Sequence, residues 1–212
     1  MNSTCASWTL VARFSNTDAI NWMIDSGEWW YDKTVAVGET TDPSHNTDMI
    51  SPAFWQVSGK ELKITRSDDP QHIALLQTTG DCLGGQTFRS KMTNYGVFRN
   101  SQKFSDGNGC RGSCDVQYGG QYNETTGFQQ AGCNGEIQSG NKIGFWCALG
   151  YSGSVVMIGG GGSSCDRSSH GLGITASKLA AFYADSGRPE RDFGDSPHGS
   201  SQMAYSLNLW IH

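Results

Sequence analysis

Apolar and polar positions along this chain switch between a period of two and a period near 3.6, and the switches mark the expected elements. "SWTLVARF" (7–14) has the β-branching and apolar density of an opening strand. "TDAINWMID" (17–25) predicts a helical segment capped by Thr17 or Asp18, with Ile20, Trp22, Met23 and Ile24 apolar. "GEWWYDK" (27–33) and the polar stretch after it predict loop. "AFWQV" (53–57) and "ELKITRS" (61–67) predict strands about Ser58-Gly59, and "QTFRSKMTNYG" (86–96) a short helix stopped by Gly96. Residues 100–142 are polar and glycine-rich with little periodicity, so disulfides are expected to hold them. "KIGFWCAL" (142–149) and "SVVMIG" (154–159) predict buried strands. "TASKLAAFYADSG" (175–187) is the clearest helix of the chain, with good helix formers, a Thr175 or Ser177 cap and Gly187 as stop. "AYSLNLWIH" (204–212) places Tyr205, Leu207, Leu209 and Ile211 on one face of a closing strand. No repeat and no linker interrupts the series, so a single α+β domain over 1–212 is expected.

Composition supports a loop-rich fold. Glycine accounts for 28 of 212 residues, well above its usual share of about 7%. The net charge of −5 has no basic block behind it, which argues against a nucleic-acid partner. No apolar run approaches the ~18 residues of a membrane span. "MNSTCASWTLVARF" lacks the charged and apolar regions of a signal peptide.

Seven cysteines stand at 5, 82, 110, 114, 133, 147 and 165. Only "CRGSC" (110–114) has close spacing, with no second pair to complete a zinc site, so oxidised pairs are the expectation. Cys82, Cys110, Cys114, Cys133, Cys147 and Cys165 are expected to form three bonds, among fifteen possible pairings. Cys5 is left over, free or linking a neighbouring chain into a homo-oligomer. Two acceptor sequons, at Asn2 and Asn123, fit the same compartment. The chain therefore reads as a secreted, extracellular domain whose leader has been removed.

Chemical candidates are few. Gly159 to Gly162 are followed by no Gly-Lys-Ser/Thr, so they make no P-loop, and no βαβ unit supports a dinucleotide site. "FGDSPHG" (193–199) superficially suggests a serine nucleophile, yet nothing marks His45, His72 or His170 as its base. A surface turn is the expectation there, and the chain is not expected to be an enzyme. "ETTDPSHNTD" (39–48) is richer: Glu39, Asp42, Asn46 and Asp48 offer hard oxygen donors within ten residues, a set suited to Ca²⁺. "SDGNGC" (105–110) is a second, weaker oxygen-rich loop for which a plain turn suffices.

"WTLVARF" resembles the opening strand of fibrinogen-like domains. "TDMISPAFWQVSGKELKITR", "LLQTTGDCLGGQTFRSKMTNYG" and "MIGGGGSSC" resemble the corresponding stretches of the intelectins, the X-type lectins, in order and spacing over about residues 7 to 165. The resemblance implies twisted antiparallel sheets with short helices and long, disulfide-stapled, Gly-rich loops. It also implies Ca²⁺-dependent binding of terminal sugars with vicinal diols, the four glycines running beside the calcium-and-sugar site. Carried over residue by residue, Asn134 and Glu136 in "CNGE" fall near the family's ligand motif, and Asp192 in "RDFGD" stands where the family has an aspartate. The family's residues just before the glycines are absent, and its preceding cysteine is Met157 here. Asp166 and His170 are the substitutes, Asp166 the stronger as a calcium ligand. Tyr183, with Phe182 or Tyr205, would cradle the sugar. The competing expectation is a structural or adhesive extracellular-matrix module with structural calcium only.

Overall fold

The computed structural model describes residues 7–17, 29–125, 128, 139–150, 152–159, 170–176, 178–182, 192–194 and 204–212. The strands are β1 (Thr9–Ser15), β2 (Met49–Ile50), β3 (Ser58–Gly59), β4 (Leu62–Arg66) and β5 (Leu76–Thr78). They continue as β6 (Gln86–Thr87), β7 (Gln102–Lys103), β8 (Gly109–Tyr118), β9 (Lys142–Leu149) and β10 (Ser152–Ile158). The last are β11 (Gly171–Ala176), β12 (Leu179–Phe182), β13 (Phe193–Gly194) and β14 (Ser206–Ile211). Helices are short: α1 (Ala53–Gln56), α2 (Phe88–Thr93), α3 (Gly120–Glu124) and one 3-10 turn, Trp30–Asp32.

One antiparallel sheet runs through the order β2-β1-β14-β4-β5-β8-β9-β10-β11-β12-β7, with β13 paired to β11. The closing strand β14 lies between β1 and β4, so the two ends of the described chain meet in the sheet. The protein is mainly β, which corrects the expected α+β class.

The largest single correction is "TASKLAAFYADSG". Instead of a helix, Thr175 and Ala176 finish β11 and Leu179–Phe182 form β12. Leu172 and Ile174 pair with the apolar run of β10 and carry Thr175 into the sheet, where it is fully buried. Burial in a sheet outweighs the helix propensity of Ala, Lys and Leu, a weak preference per residue. "AFWQV" errs the other way, because Pro52 sets a helical φ of −56° and opens α1. Residues 100–142, read as irregular, contain the ten-residue β8. "TDAINWMID" lies outside the described residues apart from Thr17.

The core is aromatic. Trp30 packs against Phe14, Tyr31, Phe54 and Phe88, and Trp146 against Tyr31, Phe98 and Phe104. "GEWWYDK", expected as loop, thus delivers three buried rings, Trp29, Trp30 and Tyr31. Two disulfides staple the middle of the sheet, Cys82–Cys114 and Cys110–Cys147. Cys5, Cys133 and Cys165 lie outside the described residues. No helix among the described residues is long and apolar enough to cross a membrane. The disulfides fit an extracellular setting, since thiols stay reduced in the cytosol.

Candidate functional site

The sheet has one edge at which β1, β4, β8 and β10 end and β5, β9, β11 and β14 begin. The acid-rich loop 39–48 packs at this edge against the end of β1, but the centre of that loop holds a side chain. Arg13, fully buried, donates from Nε to the Thr47 carbonyl (2.7 Å), from Nη1 to the Asp42 carbonyl (2.6 Å) and from Nη2 to the Glu39 carbonyl (3.0 Å). Burial lowers its pKa, while the charges of Glu39, Asp42 and Asp48 pull the other way.

The four expected calcium ligands therefore do not converge. The Glu39 carboxylate turns back on its own loop, accepting from the Thr41 amide (2.6 Å), the Thr41 hydroxyl and the Asp42 amide (2.9 Å). Asp42 Oδ1 accepts from the Ser44 amide (2.8 Å), an Asx turn. Asn46 Oδ1 accepts from the Ser15 and Ser206 hydroxyls, and Asp48 Oδ1 from the Ser15 amide (2.6 Å). The loop's carbonyls are committed to a guanidinium whose five donors serve it as a metal would. These residues do not fit calcium. Among the described residues no group of three or more His, Cys, Asp or Glu is placed to hold a metal. The weaker loop, 105–110, is a turn with a Lys103–Asp106 ion pair of 2.8 Å.

The hydrogen bonds on Glu39 hold its carboxyl at about 2, down from the usual 4.5. A depressed acid supports the fold above its unfolded value, and that support fades as pH falls from about 4.5 towards 2. A carbon-detected NMR titration is expected to place the Glu39 midpoint near 2. A midpoint at the usual value would mean that the Thr41 and Asp42 bonds are absent in solution.

A second arrangement lies farther along the same edge. His170 directly precedes β11, and its carbonyl accepts from the Ile158 amide at 2.7 Å, tying it to the end of β10. Gly171 pairs with Gly194 and Leu172 with Phe193, which sets Asp192 opposite Gly173, its carbonyl accepting the Gly173 amide at 2.8 Å. His170 and Asp192, 22 positions apart in sequence, thus flank one short strand pair, 1% and 3% exposed. Asn16, just beyond β1, clamps β13 from the other side. Its Oδ1 accepts from the Asp192 amide (2.6 Å) and its Nδ2 donates to the Phe193 carbonyl (2.8 Å). Phe193 is held between Phe128 and Tyr205.

Gly159, at the end of β10, shows what the first of the four glycines does. Its φ of +60° is left-handed, and a Cβ there would overlap the Tyr118 hydroxyl. Tyr118 and Tyr122 stack 4.3 Å apart above it, with the Tyr122 hydroxyl donating to the Ile158 carbonyl (3.1 Å). Gly160 to Gly162 lie outside the described residues, as do Asn134, Glu136, Asp166 and Tyr183. Tyr205, a candidate sugar-stacking ring, is buried, packed against Phe193 and the Arg66 guanidinium, which leaves it no exposed face for a sugar. Sequence reasoning missed Arg13 and Asn16. A lone arginine inside an apolar strand, upstream of an acidic loop, was the available signal for the first; Asn16 gave none.

No protein-family model matches the chain, and no curated protein matches it.

Proposed function

We propose that this is a secreted, non-catalytic recognition domain that binds glycans around the strand pair that His170 and Asp192 flank, with Ca²⁺ as the bridge. The observation that carries the reading is that pair. The resemblance to intelectins marks Asp192, His170 is the substitute for a missing family ligand, and the two stand at opposite ends of the β11–β13 strand pair. Gly159, which with His170 flanks residues 160–169, stands at the His170 end of that pair. Asp192 supplies a buried carboxylate, an oxygen donor of the kind calcium takes. Calcium takes six to eight oxygens, so Asp166, Asn134 and Glu136 are the further ligands in this reading, with vicinal sugar hydroxyls completing the shell. Loop 39–48 has no part in it.

The second reading is an adhesive matrix module without a sugar site. The packing role of Gly159 favours it, because the glycine needs no ligand to account for it. One column experiment separates the two. The domain is loaded in calcium on beads bearing terminal sugars with exposed vicinal diols, then washed with EDTA. Retention followed by release in EDTA is expected. Flow-through in calcium, or retention that EDTA does not disturb, rejects the calcium-bridged reading.

A further inference from the structure

Loop 39–48 is bonded to the sheet through Arg13 and Asn208, Asn208 donating to the Pro43 carbonyl at 2.7 Å. Beyond it, Leu10, Trp210, Lys63 and Gln77 line up as registered partners across β1, β14, β4 and β5, all four half-buried. With strands about 4.8 Å apart, the row is ~14 Å long. Trp8, two residues before Leu10 on the same face, adds a second indole beside the row.

The Lys63 ammonium lies between the two indoles, 4.6 Å from the Trp8 ring centre and 5.3 Å from that of Trp210. Outside this pair stand imidazoles, His212 at 5.5 Å from Trp8 and His72 at 6.2 Å from Trp210. The Trp210 Nε1 is fixed by Thr65 Oγ1 at 2.9 Å, so the ring is held rather than free to turn. Among the described residues no carboxylate lies within ion-pair distance of Lys63, Glu61 being bonded instead to the Gln77 amide at 3.2 Å, and burial alone lowers the Lys63 pKa. A partly desolvated ammonium without a counter-ion is complementary to an anion.

The structure assigns this row to an anionic saccharide chain, its carboxylates meeting Lys63, its C–H faces lying against Trp8 and Trp210 and its hydroxyls donating to the Gln77 amide oxygen, whose nitrogen is held by Glu61. A saccharide fits better than an acidic peptide for a topological reason. β14, β4 and β5 are each paired on both sides and β2 covers β1 at Ala12 and Arg13, so a chain lying along the row crosses paired strands and an added peptide strand finds an edge only at its Leu10 end. Indole faces suit a pyranose, apolar on its ring face and polar at its rim. This site is independent of the calcium-bridged strand pair and does not need the reading given above.

Calorimetry with hexagalacturonate tests it, with maltohexaose as the neutral chain and hexaglutamate as the acidic peptide. Saturable binding of hexagalacturonate is expected, equal in calcium and in EDTA and weakened by added salt. Lys63→Gln and Trp8→Ala should each weaken it ~10-fold, the scale of one charged contact or one buried ring. Lys63→Arg, which keeps the charge, should hold affinity within about threefold. Melting temperatures of Lys63→Gln and Lys63→Arg show whether the fold is intact. Absence of hexagalacturonate binding overturns the assignment. So do binding that EDTA abolishes, affinity unchanged in Lys63→Gln, and hexaglutamate or maltohexaose binding as tightly as hexagalacturonate.

Discussion

Arg13→Leu is expected to cost about 3–5 kcal/mol, the range for removing one partner from a buried charged network. Three carbonyls, those of Glu39, Asp42 and Thr47, lose their donors at once. The carboxylates of Glu39, Asp42 and Asp48 lose the guanidinium placed among them, Glu39 and Asp42 keeping only the His45 imidazole nearby. For a chain of this size the loss corresponds to roughly 6–20 °C in melting temperature. Arg13→Lys should recover only part of it, because an ammonium on a flexible stem cannot reproduce the planar fork that reaches three carbonyls. Calorimetry of the two variants in calcium and in EDTA reads both effects together. The arginine-centred loop predicts the same deficit with and without calcium. A melting temperature unchanged in Arg13→Leu would show that the guanidinium does not organise this loop.

Removing the Cys110–Cys147 bridge by a double change to alanine is expected to cost about 2–5 kcal/mol. Chain entropy alone gives about 4 kcal/mol for a closure of this length, since the two cysteines are 37 positions apart. They face one another as direct partners in β8 and β9, and Gly144 lies against both sulfurs, where a Cβ would overlap them. Cys82–Cys114 closes a comparable loop of 32 and anchors the other half of β8. The two loops overlap, so their losses should not simply add. Peptide mapping under non-reducing conditions should recover 82 with 114 and 110 with 147. A peptide joining 110 to 114 within "CRGSC" would contradict the strand geometry.

The apolar strands were legible because one physical signal, apolar density bounded by turn residues, is local. β1, β4, β9, β10 and β14 follow from it directly. β8 was legible in principle but obscured. Cys110, Gly112, Cys114, Val116 and Tyr118 alternate with the exposed Arg111, Ser113, Asp115 and Gln117, a period of two that shows only when cysteine and glycine are counted with the inward residues. The 175–187 segment was not legible. Its composition favours a helix, and for residues 175–176 and 179–182 the pairings with β10, and with β7 far away in sequence, decide for strands. The site divides the same way. The acidic loop was visible, but the cation inside it comes from residue 13, and hydrogen bonds across 26 to 34 positions cannot be read from spacing. Asp192 was nominated by resemblance and His170 as a substitute for a missing family ligand; that the two flank one strand pair depends on a two-residue pairing that no periodicity announces.

Glycan recognition with calcium is tested most directly by a broad glycan array probed with the parent chain and with Asp166→Ala, each in calcium and in EDTA. The account predicts signal on terminal vicinal-diol sugars that requires calcium and disappears in Asp166→Ala, with the variant melting within a few degrees of the parent. An array without any calcium-dependent signal, or an Asp166→Ala chain that binds like the parent, would contradict it.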